Sequence, residues 1–223
     1  MKIFNVAAFV ALSLALMSGV ARSPAKMTSE NPMSIEVRVN AEAKPGESAA
    51  SDGAPAAAAQ EQRSPLKLPL VNPKIVVSKS KRQLALYAGG AIVRTYRIAL
   101  GANPVDDKVR QGDRATPEGD FYVCVKNARS NFYLSLGLSY PNAEDAERGL
   151  RDKLITRAER ERIIRALQNK RRPPWDTALG GEIFIHGGGT DGDWTWGCVA
   201  LANADIKELF DAVPMGTSVR IER

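Results

Sequence analysis

The chain has 223 residues, 25% of them charged, with 31 Lys/Arg against 25 Asp/Glu and a formal net charge of +6. One histidine and two cysteines are too few for a structural zinc site, which takes about four such ligands, so no metal is expected. The positive charge is concentrated in residues 148–172, with ten Lys/Arg against three Asp/Glu, and without a recognisable binding motif around it nucleic acid is excluded as a partner.

Residues 1–21 read as an export signal. Met1-Lys2 gives a positive start, Ile3 to Leu16 is almost wholly apolar, and Ser18-Gly19-Val20-Ala21 supplies small residues for cleavage after Ala21. The expected location is periplasmic or otherwise extracytoplasmic. If the signal is retained, the same apolar run would instead anchor the chain in the inner membrane. Residues 22–72 are rich in Ala, Pro, Ser and Glu without hydrophobic periodicity, which predicts a disordered linker. An oxidising compartment allows a Cys124–Cys198 disulfide, but a domain of about 150 residues can build its own core without one.

From Pro73 the pattern turns strand-like. Ile75-Val76-Val77 and the alternating run Gln83 to Tyr87 predict two strands, and after the Gly89-Gly90 turn Ile92 to Leu100 returns as a third. A polar loop leads through Arg114-Ala115-Thr116-Pro117-Glu118-Gly119 into a strand over 120–125, and another covers 131–136. Residues 142–175 form a basic helical insertion. A short helix is expected near Ala143 to Leu150, and Thr156-Arg157-Ala158-Glu159 matches a capping box opening a second, with Pro173-Pro174 forbidding continuation. The insertion reads either as a lid at a site mouth or as edge packing, and its charge as an anion-attracting patch or a solvated face. Glu182 to Ile185 is a short strand carrying His186 at its end. Asn203 is expected to cap a helix whose stripe is Ile206, Leu209, Phe210 and Val213, and a last strand covers 217–221. Residues 73–223 are thus one mainly β domain with two or three peripheral α-helices.

The chemistry concentrates in Ile185 to Cys198. This run holds the only histidine, His186, and a cysteine twelve positions later across a glycine-rich loop. A thiol near neutral pH needs a base to become a nucleophile, and only one Cys–His pairing of this kind is available. Cys124 lies inside the apolar run Phe121 to Val125, where a buried, inert thiol is expected. The amides of Gly197 and Cys198 are candidate oxyanion donors. No carboxylate is compelled by spacing to orient the imidazole: Asp191 and Asp193 are local but suit the turn, and a backbone carbonyl could do the orienting instead. Gly187-Gly188-Gly189 lacks the following Lys-Ser/Thr of a phosphate loop, and no cofactor motif occurs.

His186-Gly187 followed by Thr195-Trp196-Gly197-Cys198-Val199-Ala200-Leu201 resembles the signature of the L,D-transpeptidase catalytic domain (YkuD type). The Thr116-Pro117-Glu118-Gly119 segment and the stretch Leu134 to Asn142 resemble further motifs of that family, so the likeness runs from about Pro73 to Arg223. The resemblance implies a β-rich barrel or sandwich. It also implies Cys198 as nucleophile, His186 as base, the Gly187 carbonyl as the group holding the imidazole, and Gly188, Trp194, Thr195 and Trp196 near the substrate. The implied reaction cross-links two diaminopimelate residues of peptidoglycan stem peptides through a thioester, without a cofactor, in a monomer. The chain departs from many members in having Trp196 where they carry a second histidine, and Ala200 where they carry Arg or Asn. These features resemble a branch that includes thiol hydrolases of stem-peptide or murein-linked lipoprotein bonds. A peptidoglycan-binding module without catalysis is the remaining alternative.

Overall fold

The computed structural model describes residues 63–223. The expected export signal and residues 22–62 of the expected linker lie outside that range. The elements are β1 (Lys74–Ser78), β2 (Gln83–Ala88), β3 (Ala91–Arg97), β4 (Gly119–Ser130), β5 (Tyr133–Leu138), α1 (Ala143–Arg151), α2 (Arg157–Gln168), β6 (Phe184–His186), β7 (Val199–Ala200), α3 (Asn203–Ala212) and β8 (Ser218–Glu222). Eight strands form one sheet in the order β3-β2-β1-β8-β4-β5-β6-β7, which curls into a half-barrel.

The first and last strands of the domain, β1 and β8, pair in parallel near the middle, with Ile75 opposite Val219 and Val77 opposite Ile221. All four side chains are buried, as are Leu84 and Leu86 of β2 and Leu136 and Leu138 of β5. The β2–β3 hairpin turns at Gly89 and Gly90, both at positive φ, which is what a two-residue turn matching strand twist requires. Beyond β3 the chain leaves its partner and crosses to the opposite end of the sheet. The Ala99 and Ala200 amides exchange hydrogen bonds of 2.9 and 2.8 Å with each other's carbonyls, and Gly101 bridges Thr195. The third predicted strand therefore stops at Arg97 rather than Leu100, because residues 99–101 serve this second pairing.

The long connection from β3 to β4 is held by two buried lysines. Lys79 Nζ donates to the Asp106 and Thr116 carbonyls and pairs with Glu118 at 2.9 Å. Lys108 Nζ donates to the Arg110 carbonyl and pairs with Asp113 at 2.8 Å. A buried ammonium is tolerated only with such complete partnering.

Residues 63–72 differ from the expected linker. Leu66 and Leu70 pack against the main core, Arg63 pairs with Asp205, and Gly89 N–H donates to the Val71 carbonyl at 2.7 Å. The composition hid this because two leucines among prolines show no period. In the helical insertion, both α1 and α2 begin with complete capping boxes, Asn142 with Asp145 and Thr156 with Glu159. The two helices enclose a second, smaller core of Ala146, Ile155, Ile163 and Leu179. The expected cap of the last helix is corrected: Ala202 occupies that position without a side-chain bond, and Asn203 is engaged elsewhere.

Candidate active site

β6 and β7 run in parallel, with Ile185 opposite Val199 and His186 opposite Ala200. This register brings the residue before Val199, Cys198, alongside Phe184. The Phe184 N–H donates to Cys198 Sγ at 3.4 Å, and the thiol donates to the Glu182 carbonyl at 3.5 Å. Both cysteines are free thiols, so the Cys124–Cys198 disulfide is not formed.

His186 is buried at the end of β6. Its Nδ1 lies 2.5 Å from the Gly187 carbonyl oxygen. A carbonyl only accepts, so Nδ1 carries the proton and Nε2 presents a lone pair. Burial lowers the imidazole pKa from its ordinary value, opposed by the Gly187 hydrogen bond, which keeps the ring neutral at physiological pH and able to accept a proton. Burial pushes the Cys198 thiol up to about 11, opposed by the Phe184 N–H and the positive charge of Lys108. Both shifts favour the uncharged forms, thiol and imidazole.

Two aromatic rings fix the imidazole plane. Phe132, in the β4–β5 turn, stacks on it with centroids 4.6 Å apart, and Trp194 meets it edge-on at 5.6 Å. Phe132 had no signal in the sequence, since its approach depends on the β5–β6 register that sets Ser135 opposite His186. Gly187 admits no side chain: a Cβ there would lie 2.5 Å from Asn203 Oδ1 and 2.8 Å from the Phe132 carbonyl oxygen. Asn203 accepts from the Gly188 N–H at 2.9 Å, so it ties the glycine loop to α3 instead of capping the helix.

The remaining loop residues divide by role. Thr195 is buried; its hydroxyl donates to the Cys198 carbonyl at 2.7 Å and accepts from the Gly197 N–H at 3.1 Å. The Gly197 amide is thus occupied within the loop, whereas the Cys198 amide has no acceptor among the described residues. Asp193 leaves the turn and anchors the loop from outside, pairing with Arg82 at 2.7 Å and accepting from the Leu100 N–H at 2.8 Å. Trp196 is 67% exposed, with the Arg114 guanidinium 4.4 Å from its ring centroid. It does not line the pocket that holds the thiol.

That pocket, of about 340 Å³, is lined by His186 and Cys198 together with Asn127, Arg129, Phe132 and Glu182, among others. No residue of α1 or α2 lines it, so the insertion is not a lid over the thiol. Its C-terminal end comes nearest, where Trp175 packs edge-on against Phe184 at 5.5 Å. Among the described residues no group of three or more His, Cys, Asp or Glu is placed to hold a metal ion, and no helix is long and apolar enough to cross a membrane.

Among solved structures, the helical cell shape determining protein Pgp2 from Campylobacter jejuni is similar at 21% identity and a TM-score of 0.48, covering 68% of this chain and 47% of that one. An L,D-transpeptidase fragment from Xylanimonas cellulosilytica is similar at 17% identity and a TM-score of 0.42, covering 72% and 65%. Bd1075 from Bdellovibrio bacteriovorus is similar at 20% identity and a TM-score of 0.45, covering 69% and 48%. This chain thus spans about half the length of the Campylobacter and Bdellovibrio proteins. A search of the curated proteins gave no match. Residues 72–221 match the family described as YkuD, the L,D-transpeptidase catalytic domain, and the chain belongs to that family.

Proposed function

We propose that this chain is an exported cysteine L,D-transpeptidase that joins peptidoglycan stem peptides through a thioester. The observation that carries the reading is one pocket containing the Cys198 thiol and a neutral imidazole whose Nδ1 is committed to Gly187. Cys198 Sγ attacks the carbonyl carbon between diaminopimelate and D-Ala while its proton passes to His186 Nε2. The Cys198 amide receives the developing oxyanion. The C–N bond breaks, the imidazolium protonates the departing D-Ala nitrogen, and the acyl group stays on sulfur. The side-chain amine of a second stem then attacks the thioester and yields its proton to Nε2. The C–S bond breaks, and the thiolate recovers its proton from the imidazolium. No cofactor enters, because one acyl bond is exchanged for another.

The test is incubation with purified tetrapeptide muropeptides followed by mass spectrometry. Cross-linked dimers from the wild type and none from Cys198→Ala are expected. Monomers and released peptides alone would make water the acceptor and overturn transfer. A chain that forms no thioester with donor peptide or carbapenem would overturn cysteine chemistry altogether.

A further inference from the structure

The thiol pocket carries two charges that the reaction steps do not use. Arg129 stands at the end of β4 and Glu182 precedes β6; both are exposed side chains lining the pocket beside Cys198 and His186. Neither has an ion-pair partner among the described residues, and they are not paired with each other.

Their placement is built into the backbone. Asn127 lies opposite Ser135 and Ser130 opposite Tyr133, so β4 carries one more residue than β5 across this stretch. That extra residue is a β-bulge, a device that re-aims side chains beside sites, and it lets consecutive positions from Arg129 to Phe132 line one pocket. Glu182 holds a positive φ of 55°, a conformation unfavourable for a residue with a side chain and associated with functional positions. The same residue receives the Cys198 thiol on its carbonyl, and its negative charge is felt at the sulfur.

We propose that Arg129 and Glu182 form a subsite that reads a zwitterionic amino-acid terminus on the acyl donor, Arg129 taking its carboxylate and Glu182 its ammonium. This rests on the transpeptidase reading above, in which the free end of the diaminopimelate side chain carries both groups. A positive and a negative group in one pocket favour a donor that bears both charges over a donor that bears only one, since one pocket charge then goes without its partner. A lysine donor, which lacks the carboxylate, and an amidated diaminopimelate donor, which neutralises it, are therefore disfavoured through Arg129. Both keep the ammonium and their contact with Glu182.

Binding is measured by calorimetry on the Cys198→Ala chain, which cannot turn the peptides over. Tetrapeptides with diaminopimelate, amidated diaminopimelate or lysine at the third position serve as probes. The free diaminopimelate peptide is expected to bind about 10-fold to 100-fold more tightly than the other two, the range of one charge-assisted hydrogen bond. Adding Arg129→Gln should erase that preference, and adding Glu182→Gln should weaken all three peptides while preserving it. Equal binding of the three peptides, or a preference that survives Arg129→Gln, overturns the assignment. Thioester formation by the wild type is read separately by mass. A normal adduct with no donor preference rejects the subsite and leaves the transpeptidase standing; no adduct rejects both.

Discussion

The two cysteines occupy neighbourhoods that share one property and differ in every other. Burial pushes both thiols up to about 11, so acidity does not distinguish them. Cys124 sits within β4 in the apolar run Phe121-Tyr122-Val123, all three buried, with no imidazole beside it. Cys198 ends a loop, shares a pocket with His186, and its sulfur is positioned by the Phe184 N–H and the Glu182 carbonyl. If Cys198 is the nucleophile, as proposed, what sets it apart from Cys124 is the base that can take its proton and the pocket that reaches its sulfur. A lowered resting pKa is not needed when the base is already neutral.

The sharpest way to break this contrast is to remove each thiol. Cys198→Ala should reduce turnover of muropeptide donors by roughly 10⁴-fold or more. Cys124→Ser should keep turnover and instead cost about 1–3 kcal/mol of stability for burying a hydroxyl, read by thermal denaturation. Loss of turnover in Cys124→Ser would give the two neighbourhoods one role. His186→Ala should lower kcat by about 10²-fold to 10⁴-fold, the usual worth of a positioned general base, with the far-UV spectrum unchanged; retained turnover would remove His186 from the chemistry.

The pH dependence sharpens the comparison at the next scale. In a Cys124→Ser background, iodoacetamide should alkylate Cys198 slowly at pH 7, the rate rising about tenfold per pH unit toward the thiol pKa. A rate that levels off below pH 8 would show a thiolate–imidazolium pair at rest and contradict the neutral one. Turnover should be lost in acid as His186 gains a proton. Because burial lowers that imidazole, the loss should set in below the ordinary histidine range. The smallest effect concerns the loop itself. Thr195→Val leaves the Gly197 amide and the Cys198 carbonyl without their hydroxyl partner, which should cost about 1–3 kcal/mol and lower the melting temperature while Cys124 stays shielded from alkylation.

Much of this arrangement is legible in the sequence because it is local. Thr156 and Glu159 announce α2, Gly89-Gly90 announces the β2–β3 hairpin, and a lone histidine before a Gly-Cys pair announces the candidate site. Phe132 against the imidazole, Arg129 in the pocket and Asp193 against Arg82 are not legible, since each depends on tertiary contacts between distant segments. Asn203 shows the limit most plainly: a residue type suited to capping is drawn away by the Gly188 amide, a partner fifteen positions back. Leu66 and Leu70 fail for the opposite reason, because isolated apolar side chains between prolines have no period to detect.

The pairing of Ala99 with Ala200 has a further consequence for when activity can begin. The loop ending in Cys198 is braced by residues 99–102 on one side and by Arg82 on the other, contacts that reach back 93 and 111 positions. Contacts of such separation form only once the intervening chain is in place. A partly folded chain therefore has its thiol and its histidine but not the braced loop that brings them together. The proposed acyl transfer is then a property of the completed molecule, whereas an unfinished copy exposes two thiols of ordinary acidity that folding buries and raises to about 11.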